Sequence, residues 1–363
     1  MEIAGPKDFI WIHDYHLMLV AKYLKEENFA SKLSFFLHIP FTPLDIFLKI
    51  PWRFEILRAL LDFDSIGLQT LRDLRNFVQV VKLLLKDAVF EEKGSSFICK
   101  TAETTSKIGA YPISIDFNEF ESFSLEPEVI KEAESIRSSL SSRKIVFSLD
   151  RLDYTKGITF RLDAIKQFLN DHPEMHRKVN FIQVVVPSRT DIKGYIELKE
   201  KIDRQVSEIN SQYTYPGWIP IHYMFHPLSH RQLVAFYRAS DVALVTPVKD
   251  GMNLVCKEYI AANTEETGAL ILSEFAGAAS QLKEDAFLIN PYDRNGTAET
   301  IYEALTSTPE ILKEKMRRLR KKVKDENIYK WLESIIKATG ENYIKIGLDA
   351  PEEYFPAESN KIN

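Results

Sequence analysis

Cysteine is nearly absent: Cys99 and Cys256 are the only two in 363 residues. So few thiols exclude a disulfide-stapled scaffold and fit a reducing compartment. An excess of basic residues is absent as well. Lys and Arg number 47 against 52 Asp and Glu, for a formal charge of −5. Nucleic-acid binding, which draws on clustered cations, is therefore disfavoured. No apolar run approaches the roughly 18 residues of a membrane helix. The opening stretch MEIAGPKDF has no apolar signal segment. Internal repeats and low-complexity tracts are missing too. These absences predict a cytoplasmic protein with neither a membrane nor a nucleic-acid partner.

What remains is an ordinary globular mixture, 45% hydrophobic and 27% charged. The chain is long enough for two domains, because single cores stop growing near about 250–300 residues. Short β-rich apolar runs alternate with helix-length amphipathic ones, the pattern of a parallel α/β sheet. Residues 9–12, 32–38 and 65–69 read as buried strands, 71–86 as a helix, and 97–115 as a hairpin turning at 103–107. A polar stretch at 139–143 reads as a linker. Strands are then expected at 144–149, 180–186, 220–225, 242–246, 269–273 and 286–290, most followed by a helix. That is a complete doubly wound domain at 141–325. Residues 1–140 supply fewer strands, and 326–363 read as a closing helix and tail that cross back to the first domain.

In open α/β sheets, ligands bind beyond the carboxyl ends of the strands. In the second domain those ends carry LDRLDYTKG with Arg151 and Lys156, PSRTD with Arg189, TPVKDGMNL with Asp250 and Gly251, and SEFAG. Several cations there imply an anionic ligand. The N–H groups near Met252, Asn253 and Leu254, at a helix start, suit a phosphate. Asp250 and Glu258 could accept hydrogen bonds from sugar hydroxyls and a ribose diol. Singly, each residue has a plainer reading as a surface ion pair or a turn. Together they describe what a nucleotide-sugar requires.

WIHDYHL, FFLHIPF, RLDYTKG, VPSRTD, DGMNLV and ILSEFAGAA resemble the trehalose-6-phosphate synthase family, retaining glycosyltransferases with two Rossmann-like domains of the GT-B type. The likeness runs from about Ile10 to Tyr292. It implies glucosyl transfer from a nucleoside-diphosphate glucose, usually UDP-glucose, to glucose 6-phosphate, without a metal cofactor. It also implies roles residue by residue. Asp14 holds the acceptor, and His38 approaches the donor sugar near the reacting centre. Arg151 and Lys156 grip the donor diphosphate, and Arg189 contacts the acceptor phosphate. Asp250, Gly251, Met252, Asn253, Leu254 and Val255 read the donor glucose and diphosphate, Glu258 the ribose, and Leu228 the nucleobase through its backbone. Asp150 stands where the family usually has Glu, Lys249 where Arg is common, and Thr190 at a variable position.

The family carries a longer segment ahead of WIHDYH, with a glycine-rich loop. Here only Gly5 precedes Gly67. The first domain is therefore expected to be incomplete, with an exposed sheet edge. A homo-oligomer or a partner chain supplying the missing half is a corresponding expectation. Two alternatives accompany the leading reading: a glucosylglycerol-phosphate synthase, and a non-catalytic nucleotide-sugar-binding or regulatory subunit. Rival sites are weaker. His13 and His16 lack a third zinc ligand of recognisable spacing. Asp62 and Asp64 precede a strand and read as capping or solvent-facing acids. His222, His226, Cys256 and the 331–336 stretch read as structural.

Overall fold

The computed structural model describes residues 5, 8–94, 96–189 and 191–339. Thr190 and the tail from 340 onward lie outside the described residues. The chain divides into two compact units, Met1–Ile113 with Glu326–Asn363, and Ser114–Asp325.

The first unit is built on a six-stranded sheet. Strands β1 (Phe9–His13), β2 (Lys32–Phe36), β3 (Ser65–Leu68), β4 (Val89–Lys93), β5 (Ser96–Lys100) and β6 (Thr105–Ala110) lie in the order β1-β2-β3-β6-β5-β4. β1, β2, β3 and β6 run parallel, while β4 and β5 add an antiparallel edge. Parallel strands are covered on both faces, and β2 and β3 bury nearly every side chain. The helix Leu71–Leu84 starts at a capping box in which Thr70 and Asp73 satisfy each other's backbone N–H. The hairpin expected from sequence is present, but its turn falls earlier, where Thr101 and Thr104 bond through both backbone and hydroxyls. The closing helix Ile328–Thr339 packs within this unit. Trp331 sits 5.1 Å from the Phe36 ring and 5.0 Å from Trp11, and its Nε1 donates to Tyr111 O at 3.1 Å.

The second unit holds β7 (Lys144–Arg151), β8 (Val179–Val186), β9 (Ile221–Met224), β10 (Val242–Val245), β11 (Ala269–Ser273) and β12 (Phe287–Ile289), all parallel, in the order β12-β11-β10-β7-β8-β9. The first strand of the unit lies centrally, with its second and third strands on one side and its fourth to sixth on the other. The winding therefore reverses between β7 and β10, and the two loops leaving that point open a crevice.

The unit boundary lies at Ile113 and Ser114, not in the polar stretch at 139–143. Packing explains the difference. The helices Phe117–Ser124 and Pro127–Ser139 dock onto the helices His230–Ala239 and Leu254–Ala262. Phe123 stacks on His230 at 4.5 Å, Arg231 pairs with Glu128 and Glu132, and Arg320 pairs with Glu121.

Candidate functional site

The β7 and β10 loops are locked together at the reversal point. Gly157 has a φ of 66°, and a Cβ there would lie 2.2 Å from Thr246 O. Only glycine permits so close an approach in the left-handed region. Val248 N donates to Thr155 O at 2.8 Å and draws the loops tighter. Beneath them lies Arg161, which is fully buried. Its guanidinium donates to Asp150 Oδ2 at 2.6 Å, Gln183 Oε1 at 2.9 Å and Thr246 Oγ1 at 2.9 Å, tying the ends of β7 and β10 to the middle of β8. Burial pushes the Asp150 carboxyl upward, and the Arg161 charge opposes that. Arg161 was not among the residues expected from sequence. A signal existed: it occupies an apolar-stripe position of the helix Ile158–Asp171, beside Ile158, Leu162 and Ile165.

Lys156 and Asp250 meet across the crevice, Nζ to Oδ2 at 2.6 Å, with both side chains largely shielded. Of the three ammonium donors, this bond uses one. Asp250 Oδ2 also accepts from Asn253 Nδ2 at 3.2 Å. Asn253, at a φ of 81°, caps the helix Leu254–Ala262 by accepting from Cys256 N at 3.1 Å. The first-turn N–H groups of Leu254 and Val255 have no intrahelical acceptor. Met252 and Gly251 are buried behind them, braced by Ala278 N donating to Met252 O at 2.8 Å. The fit is tight: a Cβ on Gly277 would stand 1.8 Å from Gly251 O. The Arg151 side chain, at the exposed end of β7, has no hydrogen-bond or ion-pair partner among the described residues.

Three further expected residues lie in the same unit. Glu258, half-buried on the same helix, accepts from Tyr237 Oη at 2.7 Å; burial raises its pKa, and Tyr237 pulls it back. Arg189 takes a φ of 50°, donates to Tyr195 Oη at 3.1 Å and lies over the Tyr195 ring; that ring in turn contacts Tyr154, two residues before Lys156. Leu228 comes after β9, half-buried, just before the Ser229 cap of the helix His230–Ala239.

The first unit brings Asp14 and His38 together at the adjacent ends of β1 and β2. His13 Nδ1 lies 2.9 Å from His38 Nε2, with the rings stacked. Burial holds both imidazoles below their ordinary pKa, and the Asp14 charge works against that. Asp14 has a φ of 70° and a ψ of 165°, a region that side chains other than glycine adopt only at a cost of about 1–3 kcal/mol. Its buried Oδ1 has no hydrogen-bond partner in the described residues. Backbone strain and an unmet acceptor thus coincide at Asp14.

The weaker candidates separate. His16 is exposed and packs on Tyr15, away from the bond that His13 makes. Asp64 accepts from Leu33 N at 2.8 Å and pairs with Lys32, and Asp62 pairs with Lys25. No group of three metal-ligating side chains exists among the described residues. Cys256 is wholly buried, its thiol pushed up to about 12 by desolvation. No helix of the described residues is long and apolar enough to cross a membrane.

The model of glycosyltransferase family 20 matches residues 1–341. A bifunctional trehalose-6-phosphate synthase/phosphatase of Thermoproteus tenax is 41% identical over 331 residues, which make up 91% of this chain and 44% of that protein. A trehalose-6-phosphate synthase of Mycobacterium leprae is 39% identical over 337 residues, 92% of this chain and 68% of its own length. The chain thus spans less than half of the first relative and about two thirds of the second. Among solved structures, an alpha,alpha-trehalose-phosphate synthase (UDP-forming) from Burkholderia xenovorans in complex with glucose-6-phosphate superposes with a TM-score of 0.90. It is 32% identical, with 94% of this chain and 75% of that one covered. An E. coli relative bound with UDP-2-fluoro glucose gives a TM-score of 0.89 at 31% identity, over 94% of this chain and 75% of that one. The fold is the two-Rossmann-domain GT-B type, and the chain belongs to glycosyltransferase family 20.

Proposed function

We propose that this chain transfers glucose from UDP-glucose to glucose 6-phosphate with retention at the anomeric carbon, releasing UDP and trehalose 6-phosphate. The observation that carries the reading is the Lys156–Asp250 pair at the reversal point of the second sheet, where β7 ends in Arg151. Charge grows on the departing diphosphate as the sugar becomes oxocarbenium-like. Cations already held in place strengthen as that charge develops and so lower the barrier. Asp250 orients the Lys156 ammonium and offers its remaining acceptor capacity to glucose hydroxyls. The N–H groups at Leu254 and Val255 supplement the cations.

Asp14 and Arg189 are assigned to the acceptor's hydroxyls and phosphate, His38 to the donor sugar, Glu258 to the ribose and Leu228 to the nucleobase. The acceptor hydroxyl attacks on the face the diphosphate leaves, and a leaving phosphate oxygen takes its proton; no side-chain nucleophile is invoked. Neutralisation is assigned to the chain's own cations, so turnover is expected to survive EDTA. A cytoplasmic setting, where sugar nucleotides are made and thiols stay reduced, fits the two buried free cysteines. The test is product analysis of the purified chain with UDP-glucose and either glucose 6-phosphate or glycerol 3-phosphate. Trehalose 6-phosphate from the first acceptor supports the reading. Product from glycerol 3-phosphate alone, or donor binding without any product, overturns it.

A further inference from the structure

Tyr237 is a fully buried tyrosine whose hydroxyl reaches Glu258, the residue assigned to the ribose. Its ring lies edge-on to Phe147 at 5.8 Å and to Tyr259 at 6.3 Å, within the core side of the helix His230–Ala239. A ring packed in this way places its hydroxyl at one point, and a buried hydroxyl left without an acceptor is destabilising. The acceptor is Glu258 Oε2 at 2.7 Å. Burial drives the Tyr237 pKa well above its ordinary value, so the group stays a donor at any working pH.

We infer that Tyr237 is a positioning residue: by holding Oε2 of Glu258 it fixes the carboxylate plane and presents Oε1 to a vicinal diol, selecting nucleoside diphosphates with an intact ribose. The inference rests on the assignment of Glu258 to the ribose. Two adjacent hydroxyls need an acceptor that is both charged and oriented. Glu258 is under pressure on the first count, because burial and the nearby Glu119 favour its neutral form, while Tyr237 and His230 favour the anion. On the second count, a carboxylate held at one oxygen does not have to be frozen when the ligand arrives, which is the entropic part of preorganisation. Tyr237 touches no substrate atom in this scheme and acts only through Glu258.

The experiment compares binding of UDP and 2′,3′-dideoxy-UDP to the wild-type chain, Tyr237→Phe and Glu258→Asp, with folding of each checked by circular dichroism. The wild type is expected to prefer UDP at least tenfold. Tyr237→Phe keeps the ring and loses only the hydroxyl, and its preference is expected to fall to about threefold or less. In turnover, its KM for UDP-glucose should rise about tenfold with kcat within about threefold, a split that a general loss of stability would not produce. Glu258→Asp keeps the charge but withdraws it from the Tyr237 hydroxyl, and the same loss of preference is expected; it also stands in should Tyr237→Phe not fold. Full preference retained in Tyr237→Phe overturns the role of Tyr237, and full preference retained in Glu258→Asp overturns the ribose assignment on which that role rests. A wild type that binds both ligands equally removes the ribose assignment of Glu258, and this inference with it.

Discussion

Lys156 holds the most exacting position in this account, because its ammonium must serve Asp250 and a diphosphate together. Removing one donor that stabilises developing charge costs about 2.7–4 kcal/mol. Lys156→Ala is therefore expected to lower kcat at least a hundredfold while the unfolding midpoint stays near that of the wild type, as measured by steady-state kinetics and urea titration. Arg161 makes the opposite prediction. It and Asp150 form a pair with side chains 0% and 4% exposed. Breaking such a pair from one side leaves a buried uncompensated charge, costing about 3–5 kcal/mol. Arg161→Met should lower unfolding stability by about that amount, and Asp150→Asn in the same chain should recover part of it. The sequence disclosed Lys156 and Arg151 through their place at a strand end. It hid the importance of Arg161 and Tyr237, since a side chain's burial and partner are decided by elements distant in sequence.

At the scale of elements, the six strands of the second unit were legible because each is a short, largely apolar run, with β10 and β11 buried along their whole length and the edge strands β9 and β12 only in part. β4 was not. Its Glu91, Glu92 and Lys93 are exposed on an edge strand, so neither an apolar run nor an alternation marks it. The unit boundary was also hidden: the polar stretch at 139–143 looks like a linker, yet contacts made by the two helices before it assign them to the second unit. The loops at the reversal point depend on glycines that tolerate contact. Gly277→Ala would drive a methyl into Gly251 O. The 250–253 loop must then move, and UDP affinity is expected to fall at least tenfold by calorimetry with the far-ultraviolet spectrum unchanged. Unaltered UDP affinity would show that this loop does not contact the nucleotide.

For the molecule as a whole, half-buried histidines contribute to the response to mild acid. His13, His38 and His222 all have pKa values lowered by burial. The unfolded chain therefore takes up protons near the ordinary histidine pKa of about 6.5, before the folded chain does. Stability should decline as pH falls from about 6.5 toward the lowered values, and hold above that window. Urea titrations across pH 5–8 would measure this, and His222→Gln should remove up to one proton from the slope. Strand spacing alone disclosed the second sheet and part of the first; the pairing of two Rossmann-like sheets came from the family motifs, and the donor-side chemistry from the residues just past the carboxyl ends of the second sheet's strands. Family motifs supplied the substrates.

The central claim is that Arg151 and Lys156 hold a diphosphate at the β7–β10 reversal. Calorimetric titration of UDP and of uridine into the wild type, Arg151→Ala and Lys156→Ala tests it most directly. UDP should bind at least tenfold more tightly than uridine to the wild type, and each substitution should erase most of that gap while leaving uridine binding unchanged. Equal affinity for the two ligands, or a gap that survives both substitutions, would contradict the account.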